Sequence, residues 1–213
     1  MTNPFNDISE LQKNKLFKLL ETHIYTFNKN EEMISTLKSE NIICILLEGY
    51  AQIVNISYNG EENLIEELTE NSVFGTNISN ISDNEYQIRA IKQSKILVID
   101  YNKLINKKYI NYSYYNVFIT NLFDIVNSKC KENNDRIRIL TKKTIRDKLL
   151  AFFENEYKKS RSKYIYVPTN LKDLADYLSI NRSAMFRELK YLKEEKFIKI
   201  DGKRITLLYT PIV

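Results

Sequence analysis

The sequence predicts an α+β protein with three parts in chain order. These are an antiparallel β-barrel or sandwich, one long helix, and a helix-turn-helix followed by a β-hairpin. Three observations carry this. Short apolar runs broken by polar turns recur between residues 27 and 100. A helical apolar pattern then holds from about 110 to 137. Finally, two short amphipathic segments meet at Ser179-Ile180-Asn181 and precede two strand-like runs around Asp201-Gly202-Lys203.

Residues 1–24 read as an amphipathic helix, because Leu11, Leu16, Leu19, Leu20 and Ile24 recur at helical spacing. The strand candidates are Ile42–Leu47, Ala51–Ser57, Leu64–Leu68, Tyr86–Ile91 and Ile96–Ile99. Asn59-Gly60 lies between two of these runs and signals a hairpin, since both residues tolerate positive φ. Gly49 and Gly75 fall at or beside strand ends. In the long helix, Tyr115, Ile119, Leu122, Val126, Cys130 and Ile137 form an apolar seam interrupted by Asn133. Phe118, Phe123 and Ile125 lie off that seam, so a second face is apolar too. Two apolar faces suit packing on the barrel and on a partner's helix at once. Dimerisation through Tyr115, Ile119, Leu122, Val126 and Cys130 is therefore expected, with burial inside one chain as the alternative. Polar residues Lys131 to Arg136 are expected to end or hinge this helix. A further helix follows from about Thr144 to Tyr157, then a basic loop (Lys158 to Lys163) and a short strand, Tyr164 to Val167, stopped by Pro168. The expected divisions are 1–108, 109–137 and 138–213.

Composition excludes several classes. The chain has 213 residues, 43% of them apolar and 28% charged, in the usual range of a globular protein. Its longest unbroken apolar run, Ile42 to Leu47, falls far short of the roughly 20 residues that span a bilayer. The first ten residues have neither a basic n-region nor an apolar h-region, so no secretory signal and a cytoplasmic location are expected. Two cysteines, Cys44 and Cys130, cannot form a disulfide framework or a four-cysteine iron–sulfur site. With one histidine, no Gly-rich phosphate loop and no metal-spaced cluster, no catalytic set converges, and no enzyme is expected. Charge is uneven. Residues 1–135 carry 13 Lys+Arg against 18 Asp+Glu, whereas residues 136–213 carry 19 against 9. A basic carboxyl-terminal third on an acidic body points to a module that binds a polyanion.

That module is the most specific stretch. Asn170, followed three residues on by Asp173, resembles a capping box at the start of a short helix, Leu171 to Leu178. A second helix is expected from Arg182 to Glu195. Leu174, Leu178, Ile180, Met185, Leu189 and Leu192 would form the shared core, with the small Ala175 where the helices cross. A recognition helix enters the major groove with its first turns nearest the bases. The exposed positions there are Arg182, Ser183, Phe186 and Arg187, with Lys190 a turn further. Arginine can bond guanine O6 and N7 with two parallel hydrogen bonds. Phe186 can touch a thymine methyl or pack on the hairpin. Asn170, Lys172 and Ser179 are placed for phosphate contact, and Lys203 sits on the hairpin.

The whole chain, about residues 5 to 208, resembles the CRP/FNR family of bacterial transcription regulators. The marks are Leu47-Glu48-Gly49-Tyr50, Asn59-Gly60-Glu61-Glu62 and Val73-Phe74-Gly75. In the carboxyl-terminal part they are the run Ile180 to Leu189 and Asp201-Gly202-Lys203. The resemblance implies a double-stranded β-helix (jelly-roll) sensor domain of cyclic-nucleotide-binding type, a long dimerisation helix and a winged helix-turn-helix. It implies a homodimer on an inverted repeat of double-stranded DNA, with contact to RNA polymerase, and activator is among the family's roles. A regulator of a protein partner without specific DNA binding is the alternative. Cyclic-nucleotide binders of the family follow Phe-Gly with a Glu for the ribose and later carry Arg-Ser or Arg-Thr for the phosphate. Here Thr76 and Asn84-Glu85 stand at those places. A carboxylate would repel the phosphate, so cyclic AMP or GMP is not expected in the candidate pocket of Gly75, Thr76, Asn84 and Glu85. An iron–sulfur cluster is not expected either, for want of an amino-terminal cysteine cluster. Three signals stay open: haem on His23, Met33 or a cysteine; a thiol sensor at Cys44 or Cys130; and a small ligand or none. Ser183 stands where many members carry Glu, and Glu188 replaces a commonly apolar position.

Overall fold

The computed structural model describes residues 3–33, 41–58, 60, 62–76, 78, 86–166 and 171–211. The chain divides into two compact units, Met1–Ser128 and Lys129–Val213.

The first unit opens with α1 (Glu10–Leu19), capped by Ser9, whose side chain accepts from the Gln12 amide while Gln12 returns to the Ser9 backbone. The helix is shorter than its apolar spacing suggested. Glu21 takes a left-handed φ of 48° and turns the chain. His23 and Ile24, expected at the helix end, instead begin strand β1 (His23–Phe27). Six further strands follow: β2 (Ile42–Glu48), β3 (Ala51–Ile56), β4 (Glu62–Leu68), β5 (Val73–Phe74), β6 (Tyr86–Ala90) and β7 (Ser94–Asp100). They form two antiparallel sheets, β1-β7-β2-β5 and β4-β3-β6.

Strand β2 shows why Ile42–Leu47 is continuously apolar. Ile42, Cys44 and Leu46 point between the sheets, beside Phe27, Met33, Ile53, Phe74 and Ile88. Ile43 and Ile45 face the other way, against Leu16, Leu20, Tyr115 and Phe118 of the flanking helices. A strand covered on both faces needs no polar alternation. The β3–β4 hairpin closes across Ile56 and Glu62, around the expected Asn59-Gly60 turn, of which Asn59 lies outside the described residues. Gly75 is required where it stands. Its φ is 135°, and a Cβ there would lie 2.3 Å from the Ile42 carbonyl oxygen.

After β7 come a one-turn helix, α2 (Tyr101–Leu104), a 3-10 turn at Lys107–Tyr109, and α3 (Ser113–Leu140). The expected break at Lys131 to Arg136 does not occur, and α3 runs through it. Lys131, Glu132 and Arg136 are good helix formers, and Asn133, Asn134 and Asp135 each cost no more than about 0.7 kcal/mol relative to Ala, too little to end a long helix. Two residues of the expected seam are buried within their own unit. Tyr115 and Leu122 are only 7% and 6% exposed and pack in their own unit with Phe118 and Ile125. The Tyr115 hydroxyl donates to the Leu104 carbonyl at 2.6 Å. Exposed on α3 instead are Phe123, Cys130 and Ile137, while Val126 is half-buried and Ile119 packs partly against the core of the first unit. Phe123 is 64% exposed and Ile137 58%.

The second unit contains α4 (Ile145–Ser160), β8 (Tyr164–Tyr166), α5 (Leu171–Tyr177), α6 (Arg182–Glu194), β9 (Ile198–Asp201) and β10 (Arg204–Leu207). α4 starts where expected, with the Thr144 side chain accepting from the Asp147 amide. It reaches into the expected basic loop and ends on Arg161 at φ 53°. The strands form one sheet, β8-β10-β9. Its buried side chains Ile165, Ile198, Ile205 and Leu207 share a core with Leu149, Phe152 and Phe153 of α4 and with both helices of the motif. Among the described residues, no helix is long and apolar enough to cross a membrane.

Candidate nucleic-acid interface

α5 and α6 meet at a sharp corner. Ser179 takes φ 50°, and the amides of Ser179 and Ile180 close onto the carbonyls of Asp176 and Ala175. Asn181 then caps α6, its Oδ1 accepting from the Ala184 amide at 3.1 Å. Leu174, Ala175, Leu178, Met185, Leu189 and Leu192 are all buried. That matches the expected core, with Ile180 packed beside it. Burial of Met185, Leu189 and Leu192 fixes which face of α6 turns outward.

The outward face carries Arg182, Ser183, Phe186, Arg187 and Lys190, all exposed. The Arg182 guanidinium lies over the Phe186 ring, 5.6 Å from its centroid, so Phe186 shelves Arg182 rather than packing into the core. Lys190 Nζ stands 3.7 Å from Glu194. Ser179 is exposed at the corner. Lys203 is exposed at the tip of the β9–β10 hairpin, where Asp201 pairs with Arg204. The two-residue loop within the expected Asp201-Gly202-Lys203 turn is therefore Gly202-Lys203. Gly202 alone has positive φ, 59°, the preference of a turn with Gly first. Lys172 lies on α5, but its side chain is outside the described residues, as is Asn170 with its expected cap.

One contact on α6 was not found from the sequence: Arg146, in the first turn of α4. Its guanidinium pairs with Glu195 and lies 3.5 Å from Glu188, at 5.2 Å over the Phe197 ring. The hydrogen bond from Arg146 holds the Glu195 carboxyl below its usual range. Glu188, at its commonly apolar position, was the available signal, because a half-buried carboxylate calls for a cation.

In the first unit, Thr76 is engaged with the backbone of β2, its Oγ1 accepting from the Ile42 amide at 3.1 Å. Asn84 and Glu85 lie outside the described residues. The candidate haem ligands stand on separate elements. His23 is exposed on β1, Met33 is fully buried between the sheets, and Cys44 is buried in β2. Burial pushes the Cys44 thiol up to about 12. Among the described residues, no three of His, Cys, Asp and Glu gather to hold a metal ion. A groove of about 460 Å³ opens beside β1, lined by Phe17, Lys18, Glu21, Thr22, His23 and Ile24.

Solved structures superpose along nearly the whole chain. CprK complexed with OCPA matches with a TM-score of 0.68 at 17% identity, over 91% of this chain and 89% of that one. CooA from Carboxydothermus hydrogenoformans matches at 0.60 and 16%, over 90% and 86%. The chain has the CRP/FNR regulator fold. A third CRP/FNR structure, the c-di-GMP responsive regulator CLP of Xanthomonas campestris, matches at 0.52 and 14%, over 93% and 99%. In sequence, the chain is 23% identical over 198 residues to a Porphyra purpurea protein provisionally named HTH-type transcriptional regulator ycf28. That match covers 91% of this chain and 81% of the relative. No family model matches.

Proposed function

We propose that this chain is a sequence-specific transcription regulator that binds an inverted-repeat operator as a homodimer in the cytoplasm, gated by a signal at its β-roll. The observation that carries the reading is the outward face of α6. It sets two arginines, a serine and a lysine in one exposed row on a helix whose other face buries Met185, Leu189 and Leu192. Arg182 and Arg187 read base edges, with Ser183 and Phe186 beside them and Lys190 a turn on. Ser179 and Lys203 contact phosphate, with Lys172 and Asn170 at the start of α5. The division into a sensor (1–108), a dimerisation helix (109–137) and a DNA-binding part (138–213) belongs to this reading. So does contact with RNA polymerase, which rests on the family resemblance.

Dimerisation uses the side of α3 on which Phe123, Cys130 and Ile137 are exposed and Val126 is half-buried. Ile119, Phe123, Val126, Cys130, Asn133 and Ile137 step by four and three in turn, the repeat of a two-stranded coiled coil. Asn133 would then fix the register, as one polar core position can. In this reading Val126 and Cys130 serve the seam, Ile119 lies at its edge against the first unit's core, and Tyr115 and Leu122 are buried in that core. At the sensor, Thr76 in place of the ribose-binding acid, with its hydroxyl held by the Ile42 amide, supports a signal other than cyclic AMP or GMP.

The test is fluorescence anisotropy with duplexes recovered by selection from a random pool. Expected are an inverted-repeat consensus, one dimer per duplex, and affinity that falls steeply with salt as phosphate counterions are released. Absence of any enriched sequence would favour regulation through a protein partner.

A further inference from the structure

Arg146 does more than fill a gap behind the motif. Its Nη1 donates to Glu195 Oε1 at 2.9 Å, its Nη2 donates to the other oxygen of the same carboxylate, and Nη1 stands 3.5 Å from Glu188 Oε1. The face of the guanidinium rests on Phe197, which is fixed by an edge contact with Tyr209 and by its amide bonding the Leu192 carbonyl. Two residues on, Lys148 Nζ donates to the Leu178 carbonyl at 3.2 Å, just past the end of α5. The first turn of α4 therefore grips both helices of the motif.

The two carboxylates are poorly placed unless they serve this contact. Glu195 caps the carboxyl end of α6, where the helix dipole disfavours negative charge. Glu188 is largely covered, between buried Met185, Leu189 and Leu192. A partly exposed ion pair adds little to stability. A two-point guanidinium–carboxylate fork does fix direction as well as distance. Glu188 also directly follows Arg187, so the angle of the fork bears on the side chain that faces the bases.

We propose that Arg146 is a positioning residue for base readout: through Glu195 and Glu188 it sets the angle at which α6 presents Arg182 and Arg187 to DNA. The inference rests on reading α6 as the recognition helix. Arg146 would then govern the preference for one sequence over another, without itself contributing to phosphate affinity.

The experiment compares the parent chain with Arg146→Gln, Arg146→Lys, Glu188→Gln and the swap Arg146→Glu with Glu195→Arg. Each is titrated with a selected duplex and a scrambled one at several salt concentrations, with thermal unfolding alongside. Arg146→Gln is expected to lose about tenfold in the ratio of the two affinities, roughly one misaligned arginine–guanine contact. Its salt slope and unfolding midpoint stay close to the parent's. Arg146→Lys, which keeps the charge and loses the fork, falls between, Glu188→Gln loses less, and the swap regains part of the ratio. A parental ratio in Arg146→Gln would overturn the inference. So would an equal loss on both duplexes with a salt slope lower by about one, the mark of a phosphate contact. If Arg146→Gln does not fold, Arg146→Lys and the swap decide on the same terms. A parent with no preference between duplexes would overturn the recognition-helix reading itself, and this inference with it.

Discussion

Arg182→Ala isolates the central contact. Arg182 is the first residue of α6 and exposed, and its ring contact with Phe186 is worth about 0.5–1 kcal/mol at a surface site. Folding stability should therefore drop by no more than about 1 kcal/mol, and the buried Met185–Leu189–Leu192 face should hold the helix in place. Binding is another matter. A two-point arginine–guanine contact carries about 1–3 kcal/mol of discrimination, so the preference for a selected duplex over a scrambled one should fall roughly five- to 150-fold. The assay is anisotropy on both duplexes over a range of salt. A base contact leaves the salt slope nearly unchanged, whereas a phosphate contact lowers it by about one. Phe186→Ala removes the shelf and not the guanidinium, so it should produce the same change in smaller measure. Equal discrimination by Arg182→Ala and the parent would refute the placement of this arginine at the bases.

Other outcomes follow from the same structure. Gly75→Ala should destabilise the chain by about 2–5 kcal/mol in urea unfolding, combining a positive φ with a Cβ driven into the Ile42 carbonyl. Gly202→Ala, with open space around its Cβ, should cost only about 1–2 kcal/mol, and equal costs would contradict the packing at Gly75. A thiol reagent at pH 8 should leave buried Cys44 unmodified in the native chain and titrate both cysteines in strong denaturant. Above pH about 9 the thiol of Cys44 ionises in the unfolded chain but stays protonated in the folded one, so stability should decline with rising pH until about 12. Mild oxidation should cross-link two chains through Cys130, and Phe123→Asp should abolish both the cross-link and the dimer in light scattering. A dimer that survives Phe123→Asp would place the interface elsewhere.

Much of the fold was legible because its signals are local. Ile42–Leu47, Ala51–Ser57 and Tyr86–Ile91 stand out as apolar runs between polar turns, and each became a strand within a residue or two. β1 was hidden. Only Phe27 of its five residues is buried, and Ile24 happens to continue the helical spacing of Leu16 and Leu20. The turn that separates helix from strand uses Glu21 at positive φ, with no glycine to announce it. Two-residue β5 is too short to show any period. On α3, periodicity revealed two neighbouring apolar arcs but could not say which one meets the rest of its own chain. Packing of Phe118 and Ile125 decided that, carrying Tyr115 and Leu122 inward and leaving Phe123 out.

The interface divides along the same line. The exposed row from Arg182 to Lys190 could be read directly, because a core spaced at 3.6 residues within one short helix fixes its opposite face. Arg146 could not, since it meets Glu195 across 49 residues of sequence and no periodicity connects them. What the sequence did contain was a carboxylate, Glu188, at a position where an apolar side chain would ordinarily pack. Such a group must be solvated, neutralised or paired, and its helix neighbours Met185, Leu189 and Leu192 offer no cation. The partner had to come from another element, and it is α4, which packs against α6 and carries Arg146 in its first turn. If α6 is the recognition helix, as proposed, the DNA preference should be sought in Glu188 and Arg146 as well as in Arg182 and Arg187.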